Sequence, residues 1–317
     1  MSHRPRKGLW VRVTNVTSPD GGTTTVTRYP PCMDITRKPS LTQHLRRHGN
    51  PDLVSYDEAR QAWYDYRADL GYRTVRCSYL SVGDHNKKIS KNRIPSVSFT
   101  GAPHRMAGLN ACTNSTASCR KVCIRHTGRL EMPRAQQVGI DRTRFLADYP
   151  DHAISLIHWE TVRAHAKHGE IARRLNVVTD VKWEDVCEWL FTEAPDGVYT
   201  YDYTKDWNRH PEPADRYRLT FSAMERHGAA EIIGMTNMGR NVAVVFPAEY
   251  KDTPYPDEWF GIPLVNGDVT DFRYEDPQTG VVVGLYAKGH ARRMPVGMDS
   301  FVKPVVGPWA PGPSGLA

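Results

Sequence analysis

Cys112, Cys119 and Cys123 fall within twelve residues in the run GLNACTNSTASCRKVCIRHTGR. Thiolates this close together need pairing, oxidation or a cation between them, and the flanking Arg120, Lys121 and Arg125 favour the deprotonated sulfurs. Six cysteines in 317 residues, three of them clustered, are not the framework of a small disulfide-stapled fold, so reduced thiols are expected. The loop is read as a metal centre.

Two centres suit it. The spacing C-x6-C-x3-C fits an iron–sulfur cubane, because short flexible connections let each thiolate reach a separate corner. Three ligands leave one iron open to chelate a small molecule. Zinc competes: His126 would complete a Cys3His set of the kind found in nucleic-acid-binding modules, and His104 is a second candidate for the fourth ligand. A 4Fe–4S cluster ranks first, since the loop interrupts a strand–helix pattern instead of forming a small module of its own.

The elements that must position this loop follow from periodicity. SVSFT at 96 to 100 predicts a strand before the cysteines, and helical sequence runs from about Arg134 to Ala147 after them. A second helix follows Pro150, with Asp151 able to cap it, and ends at His168-Gly169. RRLNVVT, GVYTYDYT, RYRLTFS, NVAVVF, PLVNGD and VVVGLYAKG complete about seven strands, though the last two lack a clear helix between them, which leaves a different pairing open to them. Asp180 reads as the cap of a helix whose Trp183, Val186, Cys187 and Leu190 form a buried stripe. Before the core, SPDGG and RYPPC break structure while SYDEARQAWYDYRADL predicts a helix.

The expected fold class is α/β, a partial or full βα (TIM-like) barrel. The expected organisation is a basic N-terminal extension over 1–94, a core with the three-cysteine loop over 95–292, and a Pro/Gly-rich tail over 293–317. In such barrels the loops at the C-terminal strand ends converge on one mouth. Asn176, Asp180, Asp202, Lys205, Ser222, Asn266, Asp268 and Lys288 fall at those ends. Of these, Asn176, Asp202, Lys205 and Ser222 are the expected cosubstrate or substrate contacts. Asp202 lies in a strand where Thr200, Asp202 and Thr204 alternate with Tyr199, Tyr201 and Tyr203, and a structural pairing is its competing reading. No catalytic residue is assigned.

Lys plus Arg is 42 against 35 Asp plus Glu, and residues 85–147 alone hold twelve basic and two acidic side chains. A nucleic acid or nucleotide is therefore the expected partner of the loop face. No apolar stretch is long enough to span a bilayer and no apolar segment follows the basic start, so a cytoplasmic protein without a membrane partner is expected. GxxxxGK[ST], GxG-type dinucleotide and HExxH motifs are all missing, and Ser222 has no His–Asp partners in a recognisable elbow.

Several motifs in one order, GLNACTNSTASCRKVCIRHTGR, RLNVVTDVKWED, VYTYDYTKDWNR, YRLTFSAME and VVVGLYAKGHAR, resemble uncharacterised phage proteins of the gene product eighty-eight type over roughly residues 95–292. That resemblance implies action inside an infected bacterial cell. More distantly, a three-cysteine loop after the first strand of a βα barrel resembles the radical S-adenosylmethionine enzymes, whose usual spacing is C-x3-C-x2-C. This second resemblance implies a 4Fe–4S cluster held by Cys112, Cys119 and Cys123, S-adenosylmethionine as cosubstrate, and an unidentified substrate.

Overall fold

A computed structural model of the chain describes residues 12–17, 23–28, 39–82, 93–211 and 215–305. Two compact units divide at Lys38 and Pro39. The first contains an antiparallel pair, β1 (Arg12–Thr17) and β2 (Thr23–Arg28). SPDGG, most of RYPPC and the tail beyond residue 305 lie outside the described residues.

The second unit is built on one nine-stranded sheet, ordered β3-β4-β5-β6-β7-β8-β11-β10-β9. Its strands are β3 (Ser81–Val82), β4 (Ser96–Ser98), β5 (Ile171–Arg174), β6 (Val198–Thr204), β7 (Tyr217–Ser222), β8 (Val242–Phe246), β9 (Glu258–Trp259), β10 (Ile262–Asn266) and β11 (Val282–Tyr286). The seven strands from β4 to β10 in this order run parallel, and β3 and β9 pair antiparallel at the two edges. The sheet is not closed, so the full barrel entertained from sequence is not formed: β3 and β9 end it rather than pairing with each other. The last two parallel strands do pair differently from simple succession, because β11 inserts between β8 and β10.

Helices cover one face. The crossover from β4 to β5 carries α3 (Ala117–Lys121), α4 (Pro133–Asp148) and α5 (Pro150–His168), while α6 (Trp189–Thr192) follows β5 and α7 (Ala229–Asn237) joins β7 to β8. Proline opens both α4 and α5, where its missing N–H costs nothing, and Gly169 at φ 75° ends α5. Two earlier helices, α1 (Leu41–Arg47) and α2 (Tyr56–Asp69), bury Leu41, Leu45, Ala59 and Trp63 in the same apolar cluster as Phe145, Ile154 and Ile157. Packing therefore begins the core unit at Pro39 and not near residue 95. At the other end Phe301, Val302 and Lys303 are buried, and Val302 bridges to Val245 of β8.

Period-two alternation separates the two faces. Val242, Val244 and Phe246 of β8 pack with Ile232 and Met235 of α7, whereas Ala243 and Val245 line the opposite face. In β6, Tyr201 and Tyr203 line that opposite face as well. No helix among the described residues is long and apolar enough to cross a membrane.

Candidate metal centre and cavity

The sheet face that carries Tyr201, Tyr203, Ala243 and Val245 borders a cavity of about 1430 Å³, to whose wall α3 and α4 also contribute. It opens at the C-terminal ends of the parallel strands, and the cysteine loop forms part of its wall through Cys112, Cys119 and Cys123. The segment leaving β4 extends the ladder once more, with Phe99 N donating to Arg174 O at 2.9 Å, and then turns at His104, which sits at φ 52°. Ala111 N returns to His104 O, and Asp180 N donates to Ala111 O, which ties the loop to the end of β5.

Each cysteine is fixed differently. The Cys112 sulfur accepts from His104 N at 3.3 Å and lies 3.6 Å from Val178 O. Cys119 sits in α3, its N–H taken by the capping hydroxyl of Thr116, and its side chain packs beside Val122, Ala287 and Phe301. Thr116 also donates to Glu225 at 2.8 Å, which anchors the loop to the β7–α7 connection. Cys123 precedes a short 3-10 turn, Ile124–His126, whose His126 stacks on His290 with ring centroids 5.1 Å apart.

All three sulfurs are mutual neighbours. Cys119 and Cys123 both act on Cys112, and Cys119 acts on Cys123, in each case against ionisation. Burial is the larger cause and pushes both the Cys112 and Cys123 thiols up. The N–H of Arg125 and the charges of Arg125 and Lys205 partly offset this at Cys123. None of the three is in a disulfide. A coordinated thiol loses its proton, but the flanking basic residues do not achieve this unaided: burial holds Cys112 and Cys123 in the neutral form. A tetrahedral ion needs its donors about 2.0–2.3 Å from one point. Among the described residues no group of three or more His, Cys, Asp or Glu side chains is gathered in that way. His104 and His126 both line the cavity, and burial, followed by neighbouring arginines, lowers the pKa of each.

The strand-end residues separate into two groups. Lys205 and Ser222 line the cavity. The Lys205 ammonium lies 5.2 Å from the Phe301 ring centre, and the Ser222 hydroxyl makes no hydrogen bond within the chain among the described residues. Asn176 borders the cavity, but its amide is fully used: Oδ1 accepts from Thr179 and from Val181 N, and Nδ2 donates to Val181 O. Asp202 does not line the cavity. It points to the helix-covered face, is 0% exposed, and accepts from Asn176 N at 2.7 Å and from the Tyr217 hydroxyl at 2.8 Å. Asp180 is not a helix cap either. It accepts from Thr204, from Lys205 N and from the buried Arg209, which also pairs with Glu184 at 2.6 Å. Lys288 lines the cavity and pairs with Asp268 at 2.9 Å. Asn266 and Asp268 are not among its lining residues.

Sequence reading missed Arg142 and Arg174, which line the cavity from α4 and the end of β5, and chose the Asp202 side of β6 over the tyrosine side. Eight of the lining side chains are Arg or Lys and two are Asp, and Asp180 and Asp271 are both ion-paired to arginine. The chamber is strongly cationic.

Residues 79–296 match the family model described as Gene product 88. The chain belongs to that family. The match starts just before β3 and runs past β11, so it takes in the whole parallel sheet, the cysteine loop and the cavity walls except Phe301, while α1 and α2 fall before it. Comparison with curated proteins and with solved structures gave no match.

Proposed function

We propose that this Gene product 88 protein is an iron–sulfur enzyme similar to the radical S-adenosylmethionine class. Its sheet would serve as a partial barrel, and an anionic substrate, a nucleotide or nucleic acid, would enter the chamber. One observation carries the reading: three neighbouring cysteine thiols on the loop after the first parallel strand face a large cationic cavity at the strand ends. When bound, a 4Fe–4S cluster with an open iron supplies one electron to cleave S-adenosylmethionine to a carbon radical.

The chain's own residues do the rest. Cys112, Cys119 and Cys123 hold the cluster, and His104 N and Arg125 N donate to ligand sulfurs, which steadies their charge. Lys205 and Ser222 are the cosubstrate contacts this reading retains, one cationic and one with an unused hydroxyl. Asn176 and Asp202 act one step back, as positioning residues for the 175–181 segment that closes the wall. Eight cationic lining groups draw in an anionic substrate and weaken its binding as salt rises. The phage origin implied by the family resemblance supports action inside an infected bacterial cell.

Anaerobic purification with visible absorption and metal analysis tests the proposal. About four irons per chain and a brown sample are expected, with the colour lost in Cys119→Ala. Reduced protein given S-adenosylmethionine is expected to release 5′-deoxyadenosine. One zinc and no colour would replace the enzyme by a zinc-stabilised nucleic-acid-binding protein, and no nucleoside above a cluster-free control would reject the radical chemistry.

A further inference from the structure

A second charged region of the cavity stands at the short strands β3 and β4. Ser81, Ser98 and Arg174 are in register across β3, β4 and β5, so they share the cavity face along a row of about 10 Å, two strand spacings. Arg142 reaches this row from the middle of α4. One terminal nitrogen donates to Ser81 Oγ at 2.7 Å and the other meets Ser78 O at 3.4 Å.

Arg142 is only 8% exposed, and its Nε has no partner. Among the described residues no carboxylate forms an ion pair with it. Glu160 acts on it electrostatically, but the Glu160 oxygens are taken by the N–H groups of Tyr79 and Leu80 at 2.8 and 2.7 Å. A buried guanidinium bonded only to neutral acceptors is costly, because the Glu160 charge offsets its lost hydration only in part, without an ion pair. Arg174, at the other end of the row, is bound to Asp271 at 2.7 Å and lies 5.0 Å from the centre of the Tyr203 ring. Arg142, Arg174 and Asp271 together leave one positive charge facing the chamber.

We propose that Arg142 and Arg174, with the Ser81 and Ser98 hydroxyls between them, bind an oxyanion of the substrate, a phosphate or a carboxylate group. The inference rests on reading the cavity as a substrate chamber and is independent of the metal. Planar guanidinium forks match both oxyanions, and the hydroxyls add donors between them, that of Ser98 by turning from its long 3.5 Å bond to Ser81 O. The chamber exceeds the roughly 300–1,000 Å³ of ordinary ligand pockets, so the anion is one group of a larger molecule.

Isothermal titration of full-length, iron-free protein with inorganic phosphate and with acetate tests this. Saturable one-to-one binding of at least one anion is expected, and the tighter of the two identifies the substrate group. Arg142→Gln should weaken that binding at least tenfold. Ser81→Asp supplies a carboxylate where Arg142 already donates; it should abolish binding while raising the thermal midpoint, and it decides the matter if Arg142→Gln does not fold. Absence of binding by either anion, or binding undiminished in Ser81→Asp, overturns the inference. Iron-loaded protein that binds neither anion defeats this subsite alone, and anion-binding protein that never takes up iron defeats the cluster alone.

Discussion

Asp202 organises a loop without touching the cavity beside it. Its oxygens accept from Leu175 N at 3.3 Å, Asn176 N at 2.7 Å and the Tyr217 hydroxyl at 2.8 Å, so one carboxylate gathers the end of β5, the start of the next loop and the neighbouring strand β7. Burial pushes its pKa up to about 6, against the pull of Arg174 and of the hydrogen bonds from Asn176 and Tyr217. Asp202→Ala strands these donors inside the protein, and at about 1–3 kcal/mol for an orphaned group a total loss of about 3 kcal/mol is expected in urea melts. An unchanged midpoint would mean that the carboxylate serves a ligand instead. The tyrosine and aspartate sides of this strand were legible from period two alone. Which side meets the chamber was not, because that depends on where helices pack. Arg142 was equally hidden: an arginine on an amphipathic helix reads as a solvated charge, and only α4 lying against β3 buries it. The cysteines were easier to place, since their loop follows the first parallel strand and so reaches the cavity wall.

The element that aims the cysteine loop is α4, through a close approach to the chain leaving β4. Gly139 of α4 faces Gly101, and a Cβ at Gly139 would lie 2.7 Å from Gly101 O. Thr143, one turn further on, accepts from Ala102 N at 2.8 Å, so glycine and threonine together fix the segment that precedes the cysteines. In an exposed helix Gly→Ala stabilises by about 1 kcal/mol. Here Gly139→Ala is expected to destabilise by roughly 1–3 kcal/mol in thermal melts, because backbone must move. A rise in midpoint would refute the contact. The seven parallel strands were readable because buried strands appear as short apolar runs between breakers. Their ends were less so: RRLNVVT leaves the sheet after Arg174, where Asp202 takes over the N–H groups of Leu175 and Asn176. The insertion of β11 between β8 and β10 has no local signature, since pairing order is set by packing distant in sequence. Two-residue edge strands such as β3 and β9 are too short to show a period. Asp180 looked like a cap because an acidic residue precedes an apolar stripe, yet a buried arginine 29 residues on claims it.

At the scale of the molecule, four buried or half-buried groups among the described residues carry proton linkages of opposite sign in one pH range. His158, 6% exposed against Trp159 and Trp189, has its pKa pushed down to about 4, by burial first and Arg173 second. His227, under Trp207, is likewise pushed down to about 4 by burial and then by Arg226. An unfolded histidine takes its proton near pH 6.5. The native ring refuses it until about 4, so the stability these two contribute is complete above pH 6.5 and is lost as pH falls toward 4. Asp202 and Asp276 run the other way. Burial pushes both up to about 6, above the unfolded value near 3.9, so the native state binds their protons first and gains stability as pH falls from 6 to 4. The two pairs oppose each other, so their own contributions largely cancel between pH 6 and 4. His158→Gln removes one destabilising proton and unmasks the balance. Measured by denaturant unfolding at pH 7, 5.5 and 4, the variant should gain on the parent by about 2–3 kcal/mol across that range, one histidine shifted by some 2.5 pKa units. A difference between variant and parent that is constant with pH would show that His158 takes no part in the linkage.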